Sequence, residues 1–164
     1  RGLNLRRLTT SRGVDTSPAW NPRTGEQIAF VSDRGGSTQI YIVDAQGGNV
    51  RRIVEGGGSA VNPAWSPNGQ AIAFAWQKRG TNNYDIYLHD LASGRNVQLT
   101  QDTRNDERPT WSPDGRHLAF ESNRSGKRHI YSMLADGTKV RQLTTQGNNV
   151  GPAWSSFIGG QSLR

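Results

Sequence analysis

Four tryptophans set the frame of this chain. Trp20, Trp65, Trp111 and Trp154 stand 45, 46 and 43 residues apart, and each follows a Pro-x pair: Pro18-Ala19, Pro63-Ala64, Pro109-Thr110 and Pro152-Ala153. A chain that returns to the same words at this interval builds one small unit several times and stacks the copies. Behind the first three tryptophans come Asn21-Pro22, Ser66-Pro67 and Ser112-Pro113, then a turn closed at Gly25, Gly69 or Gly115. Ile28-Ala29-Phe30 is echoed by Ile72-Ala73-Phe74 and Leu118-Ala119-Phe120, and Ile40-Tyr41 by Ile86-Tyr87 and Ile130-Tyr131. The last recurring word reads Asn49-Val50-Arg51-Arg52-Ile53, Asn96-Val97-Gln98-Leu99-Thr100 and Lys139-Val140-Arg141-Gln142-Leu143-Thr144.

Each copy therefore holds four short apolar or alternating runs, cut by Pro-Asp-Gly, Pro-Asn-Gly, Gly-Gly and Ser-Gly turn signals. Runs this short, rich in β-branched and aromatic residues, read as strands. Hydrophobic residues make up only 32% of the chain, which a turn-rich all-β fold tolerates. Five Trp, four Tyr and four Phe argue against disorder, because a disordered chain lacks them. Four strands per repeat of this length describe a β-propeller blade, with the Trp strand innermost and the Leu-Thr strand outermost. The expected fold is an all-β propeller of four-stranded antiparallel blades.

Counting the copies gives three full blades, about 15–54, 60–100 and 106–144, within a propeller region spanning 1–155. An orphan outer strand, 4–9 (Asn4-Leu5-Arg6-Arg7-Leu8-Thr9), precedes them, an inner strand, 151–155, follows, and the tail 156–164 matches no repeat. Rings close with about four to eight blades, so three and a fraction are expected to self-associate or to meet the remainder of the same propeller.

The pattern Pro-Ala-Trp-Ser-Pro-(Asp/Asn)-Gly, Ile-Ala-Phe, Ile-Tyr, Leu-Thr resembles the TolB-type (WD40-like, PD40) propeller repeats over the chain up to about Ser155. The resemblance implies the C-terminal half of a six-bladed ring, a periplasmic bacterial location, and a role in the Tol–Pal envelope system as binder of a Pal-like lipoprotein. The same repeat occurs in propellers attached to serine peptidases, and an excised or engineered half-ring would show only self-assembly, so both readings stay open beside the first.

Chemistry is sparse in these motifs. The chain has no cysteine, which excludes disulfides and thiolate metal sites. His89, His117 and His129 fall at three different places in the repeat, with no His-x-x-x-His pair. No Gly-x-Ser-x-Gly elbow surrounds the recurring Trp-Ser-Pro serines. Gly56-Gly57-Gly58-Ser59 lacks the Lys-Ser/Thr of a phosphate loop and reads as a flexible connection between blades. No catalytic, cofactor-binding or metal-binding residue is expected, and the protein is read as non-catalytic. The net charge is +7, and 17 of the 20 basic residues are arginine. Arg6, Arg7, Arg51, Arg52 and Arg141 fall on outer strands, where charge blocks edge-to-edge aggregation. Nucleic-acid binding would want basic residues interleaved with exposed aromatics, and the aromatics here follow the core period. No apolar run is long enough to insert in a membrane.

The residues without a structural duty lie just before the tryptophans. Asp15, Ala60, Asp106 and Asn149 stand five positions ahead of each one, in the loops expected to carry the chain from an outer strand to the next inner strand. In a propeller such loops gather at one mouth of the channel. The predicted partner-binding residues are Asp15, Thr16, Ala60, Val61, Asn62, Asp106, Glu107, Arg108, Asn148 and Asn149, with the acidic members offered to a partner's Arg or Lys.

Overall fold

A computed structural model describes residues 4–155; the predicted tail 156–164 lies outside the described residues. Within that range three four-stranded antiparallel sheets follow one another along the chain. The first blade is β1 (Asp15–Trp20), β2 (Gln27–Ser32), β3 (Gln39–Asp44) and β4 (Arg51–Arg52). The second is β5 (Gly58–Trp65), β6 (Ala71–Lys78), β7 (Asp85–Asp90) and β8 (Asn96–Gln98). The third is β9 (Asp106–Trp111), β10 (His117–Ser122), β11 (His129–Leu134) and β12 (Arg141–Gln142). Strands β1, β5 and β9 lie side by side around the axis, while β4, β8 and β12 touch only the third strand of their own blade. The all-β reading and the inner and outer assignments stand.

The repeated apolar words fill two places. Inside each blade a phenylalanine lies directly opposite a tyrosine, Phe30 on Tyr41, Phe74 on Tyr87 and Phe120 on Tyr131. Their ring centroids are 5.8, 6.0 and 5.9 Å apart, in the range where aromatic pairs attract beyond their burial. Between blades, Ala29, Val31, Ile40 and Ile42 of the first meet Ala60, Trp65, Ile72 and Phe74 of the second. Ala73, Ala75 and Ile86 of the second meet Leu118, Phe120 and Trp111 of the third.

The tryptophans join the blades by a relay. Trp65 Nε1 donates to Ala19 O at 2.9 Å, Trp111 Nε1 to Ala64 O at 3.1 Å, and Trp154 Nε1 to Thr110 O at 3.1 Å. Each acceptor is the carbonyl just before the previous tryptophan. Trp65 is 6% exposed beneath its neighbour, whereas Trp20, with no described blade ahead of it, is 55% exposed.

Three expectations need correction. Residues 4–9 form no strand, because a two-residue outer strand depends on a third strand of its own blade and none is described ahead of it. Leu8 instead packs against Ile28, Phe30, Tyr41 and Val43. Residues 151–155 also pair with no strand, although Trp154 occupies the relay position. Gly56–Gly58 are not a loose connection: Trp76 Nε1 donates to Gly57 O at 3.0 Å and Gln39 Nε2 to Gly58 O at 2.7 Å. Gly58 has φ +84°, and a Cβ there would come 2.0 Å from Gln77 O, so only glycine fits.

Candidate functional site

The stretches before the first three tryptophans are strands rather than loops, while the one before Trp154 is not. Asp15 lies opposite Ser32, Ala60 opposite Trp76, and Asp106 opposite Ser122. The prolines at 18, 63 and 109 do not end the strand, because a bulge ahead of each absorbs the missing N–H. Ser17, Asn62 and Arg108 stand at the bulge with φ of 50°, 56° and 52°, and Gly151 repeats it at 62° before Pro152. Such φ values are uncommon for residues other than glycine, and here they recur at one equivalent position. The inner strands thus share one kinked backbone position, occupied by Ser17, Asn62 and Arg108 and repeated at Gly151.

Two of the predicted acids are engaged inside their own blades. Arg34 Nη2 donates to Asp15 Oδ1 and Oδ2 at 2.9 and 3.0 Å, and Arg34 Nε to Ser32 Oγ at 2.8 Å. The same guanidinium caps Phe30 and Tyr41, 5.1 and 5.0 Å from their ring centroids. The third blade repeats this clasp: Arg124 Nη2 donates to Asp106 Oδ2 at 2.7 Å, Nε donates to Ser122 Oγ at 2.9 Å, and the guanidinium covers Phe120 and Tyr131. Asp106 is 0% exposed, as is Ala60, so neither reaches a partner from this fold. Val61 is half-buried between the two inter-blade cores.

The two clasps differ electrostatically. Burial pushes the Asp15 carboxyl up, but hydrogen bonds from Ser32 and Thr9, with the Arg34 guanidinium, outweigh it and leave the group below its ordinary range. At Asp106 burial wins over Ser122, Arg124 and Thr100, and the carboxyl rises.

The third blade adds a second ionic set. Glu121, buried on β10, stands where the other blades have Val31 and Ala75. Arg128 Nη1 donates to Glu121 Oε1 and, at 2.9 Å, to Glu107 Oε2. Glu121 Oε2 accepts the Gly151 N–H at 2.9 Å, and Arg108 Nε lies 3.9 Å from it. Asn148 Oδ1 accepts from Arg128 N at 3.2 Å, and Asn149 N donates to Arg128 O at 2.8 Å. These bonds tie the last inner segment to the third blade.

Of the ten predicted residues, Thr16, Arg108 and Asn148 are exposed and Asn62 is half-buried at the mouth. Asp15, Glu107 and Asn149 serve internal contacts, and Asp106, Ala60 and Val61 are packed away. The reading missed Ser17, Arg34, Arg124 and Arg128. A signal was present: Ser32-Asp33-Arg34 and Ser122-Asn123-Arg124 recur only in the two blades that carry an aspartate before the tryptophan. Among the described residues no three His, Cys, Asp or Glu side chains are grouped to hold a metal ion, and no helix is long and apolar enough to cross a membrane.

Comparison with known proteins places these features. The family model of the TolB beta propeller domain matches residues 1–62 and 54–161. A stretch of 47 residues is 49% identical to the Tol-Pal system protein TolB of Bordetella pertussis, covering 29% of this chain and 10% of that protein. The structure resembles that of a putative TolB from Agrobacterium tumefaciens, with a TM-score of 0.82 and 26% identity over 90% of this chain and 53% of the other. The chain therefore spans about half of that relative and a tenth of the curated one. The fold alone is shared with puromycin hydrolase, at a TM-score of 0.75 and 13% identity over 92% of this chain and 25% of the other.

Proposed function

Because the chain belongs to the TolB beta propeller domain family, we propose that it is a non-catalytic protein-binding propeller whose docking face is the kinked mouth of the inner strands. One observation carries this reading. The bulge recurs at Ser17, Asn62, Arg108 and Gly151 with nearly the same φ, while the side chain changes at every copy. A fixed backbone bearing varied side chains is how a rigid scaffold presents a recognition surface. The proposed contacts are Thr16, Ser17, Asn62, Arg108 and Asn148; Asp15, Asp106 and Glu107 act behind them as the frame that holds the face. By the likeness to the Tol-Pal system protein TolB, the partner is a Pal-like lipoprotein, the setting the Tol–Pal system, and the location the bacterial periplasm.

A second contact is favoured by the open flank of the first blade. There Trp20 is exposed, and Leu8, Pro18, Ile28, Phe30 and Val43 line a cavity of about 170 Å³. The remainder of the same propeller, or a second copy, would cover it.

The test is titration of the chain, and of a version carrying a complete ring, with a Pal-like lipoprotein. Asn62→Gly, which keeps the positive φ, with Arg108→Ala is expected to weaken binding about tenfold or more while melting close to the native protein. Equal affinities would move the docking face elsewhere, most directly to the arginine-bearing outer strands.

A further inference from the structure

The junction between the second and third blades holds two buried acidic side chains. Asp85 opens β7 and is 5% exposed; Asp106 opens β9 and is fully buried. Asp106 N donates to Tyr84 O at 2.8 Å, so the chain brings both residues to one joint. The places equivalent to Asp85 hold Gln39 and His129, both buried. Gln39 answers the backbone of Gly58 at 2.7 Å, and the His129 ring faces Asn149 at 3.4 Å. Among the described residues, only the middle joint sets one carboxyl beside another.

Each carboxyl uses one oxygen. Gln98 Nε2 donates to Asp85 Oδ2 at 3.2 Å, and Arg124 Nη2 to Asp106 Oδ2 at 2.7 Å. The remaining oxygens, Asp85 Oδ1 and Asp106 Oδ1, are buried and have no hydrogen-bond partner. Two buried acceptors of like charge without protein partners in one joint are costly. A proton on Asp85, which has no cationic partner among the described residues, removes its charge and turns the stranded acceptor into a donor.

We propose that Asp85 carries a proton in this joint, which is clasped while that carboxyl is neutral and pushed apart when Asp85 joins Asp102 and Asp106 in carrying charge. The charged and titratable groups facing the pair are few. Asp102 comes from the β8–β9 connection, Arg124 from the β10–β11 connection, and Tyr87 from β7 itself. Asn83, Gln98, Thr100 and Ser122 are the neutral polar neighbours. Arg124 is divided between Asp102 and Asp106 at 2.9 and 2.7 Å. Burial, and then the charges on Asp106 and Asp102, push the Asp85 carboxyl to about 6 against the opposing pull of the Asp102 backbone and Asn83. A carboxyl raised above its unfolded value binds its proton more tightly in the folded state, so stability grows as the pH falls through 6 towards 4.

The experiment is thermal unfolding of the full chain at about pH 5 and about pH 7.5, together with carbon NMR of the aspartate carboxyls. The native melting temperature is expected to be higher at the lower pH by about 3 °C or more. Asp85→Asn, whose amide supplies the donor permanently, should raise the melting temperature at the higher pH and reduce the difference between the two. Comparing the two proteins cancels the histidines, which they share. NMR on the native chain should show one aspartate titrating near 6, with a smaller rise left by burial in Asp106→Asn. Two carboxyls titrating in the ordinary range, or an Asp85→Asn protein that keeps the native pH dependence, would overturn the proposal. So would a calcium chloride-dependent rise in melting temperature that Asp85→Asn abolishes, since the pair would then be held by a metal ion.

Discussion

The second blade and its two neighbours solve the same packing problem with opposite chemistry. All three have a Phe–Tyr pair facing the corner where the inner strand begins. Blades one and three close that corner with Asp, Ser and Arg, a guanidinium lying across both rings. In blade two, Ala60 and Trp76 replace Asp and Ser, and the indole packs 5.0 Å from Tyr87, its N–H satisfied by Gly57. One corner is held by charge and hydrogen bonds, the other by aromatic area and a glycine loop shaped to it. The lesson is that the repeated apolar residues fix the blade, while the corner takes either filling.

The strongest test of this comparison is to exchange the fillings. Trp76→Ser should cost about 3–5 kcal/mol, the range for deleting a large buried aromatic. Adding Ala60→Asp and Lys78→Arg rebuilds the blade-one set and should recover a substantial part of the loss in a denaturant titration. No recovery would mean that wedge and clasp are not alternatives for one corner.

A somewhat smaller effect is expected from the loop that serves the wedge. Gly58→Ala drives a Cβ into Gln77 O at a backbone angle that side chains rarely adopt, and should cost about 3 kcal/mol by the same titration. Gly80→Ala has a positive φ but open space around it; it carries only the backbone strain, about 1 kcal/mol, and serves as the control.

The smallest effect is expected at the half-exposed clasp. Asp15→Ala should cost about 1 kcal/mol at neutral pH, because the Arg34 pair is partly solvated. The sign of its pH dependence follows from the lowered carboxyl. Its stabilisation is complete above the unfolded value near 4 and is lost as the pH falls through the folded one. Native and Asp15→Ala stabilities should therefore converge in acid. A gap that persists at low pH would assign Asp15 a packing role instead of an electrostatic one.

The architecture was readable because its signals are local and repeated: Pro-x-Trp, Ile-Ala-Phe and Ile-Tyr each mark one strand wherever they occur. The mouth was only half readable, for a different reason. Asp15 and Asp106 look free when read by position, yet their partners Arg34 and Arg124 lie 19 and 18 residues further on, brought close by a hairpin. The matching Ser-x-Arg words could have shown the clasp, since they are missing from the one blade without the aspartate. A proline ordinarily ends a central strand, but the bulges at Ser17, Asn62 and Arg108 let these strands run past it. Residues 4–9 and 151–155 carry strand patterns with no described partner strand, and pairing is a property of neighbours, not of a segment alone.

The tryptophan relay has a consequence for how such a chain can lengthen. The donor of each joint is one copy's tryptophan, and the acceptor is the carbonyl beside the previous copy's tryptophan. A duplicated stretch running from one tryptophan to the next would arrive with its own donor and leave its own acceptor exposed for the copy that follows. The splice would be in phase with the chain on both sides without any compensating substitution. Gain or loss of a whole unit is then chemically silent at the axis, and the number of units is limited by curvature, by how far the inner strands can fan before the gap between them opens.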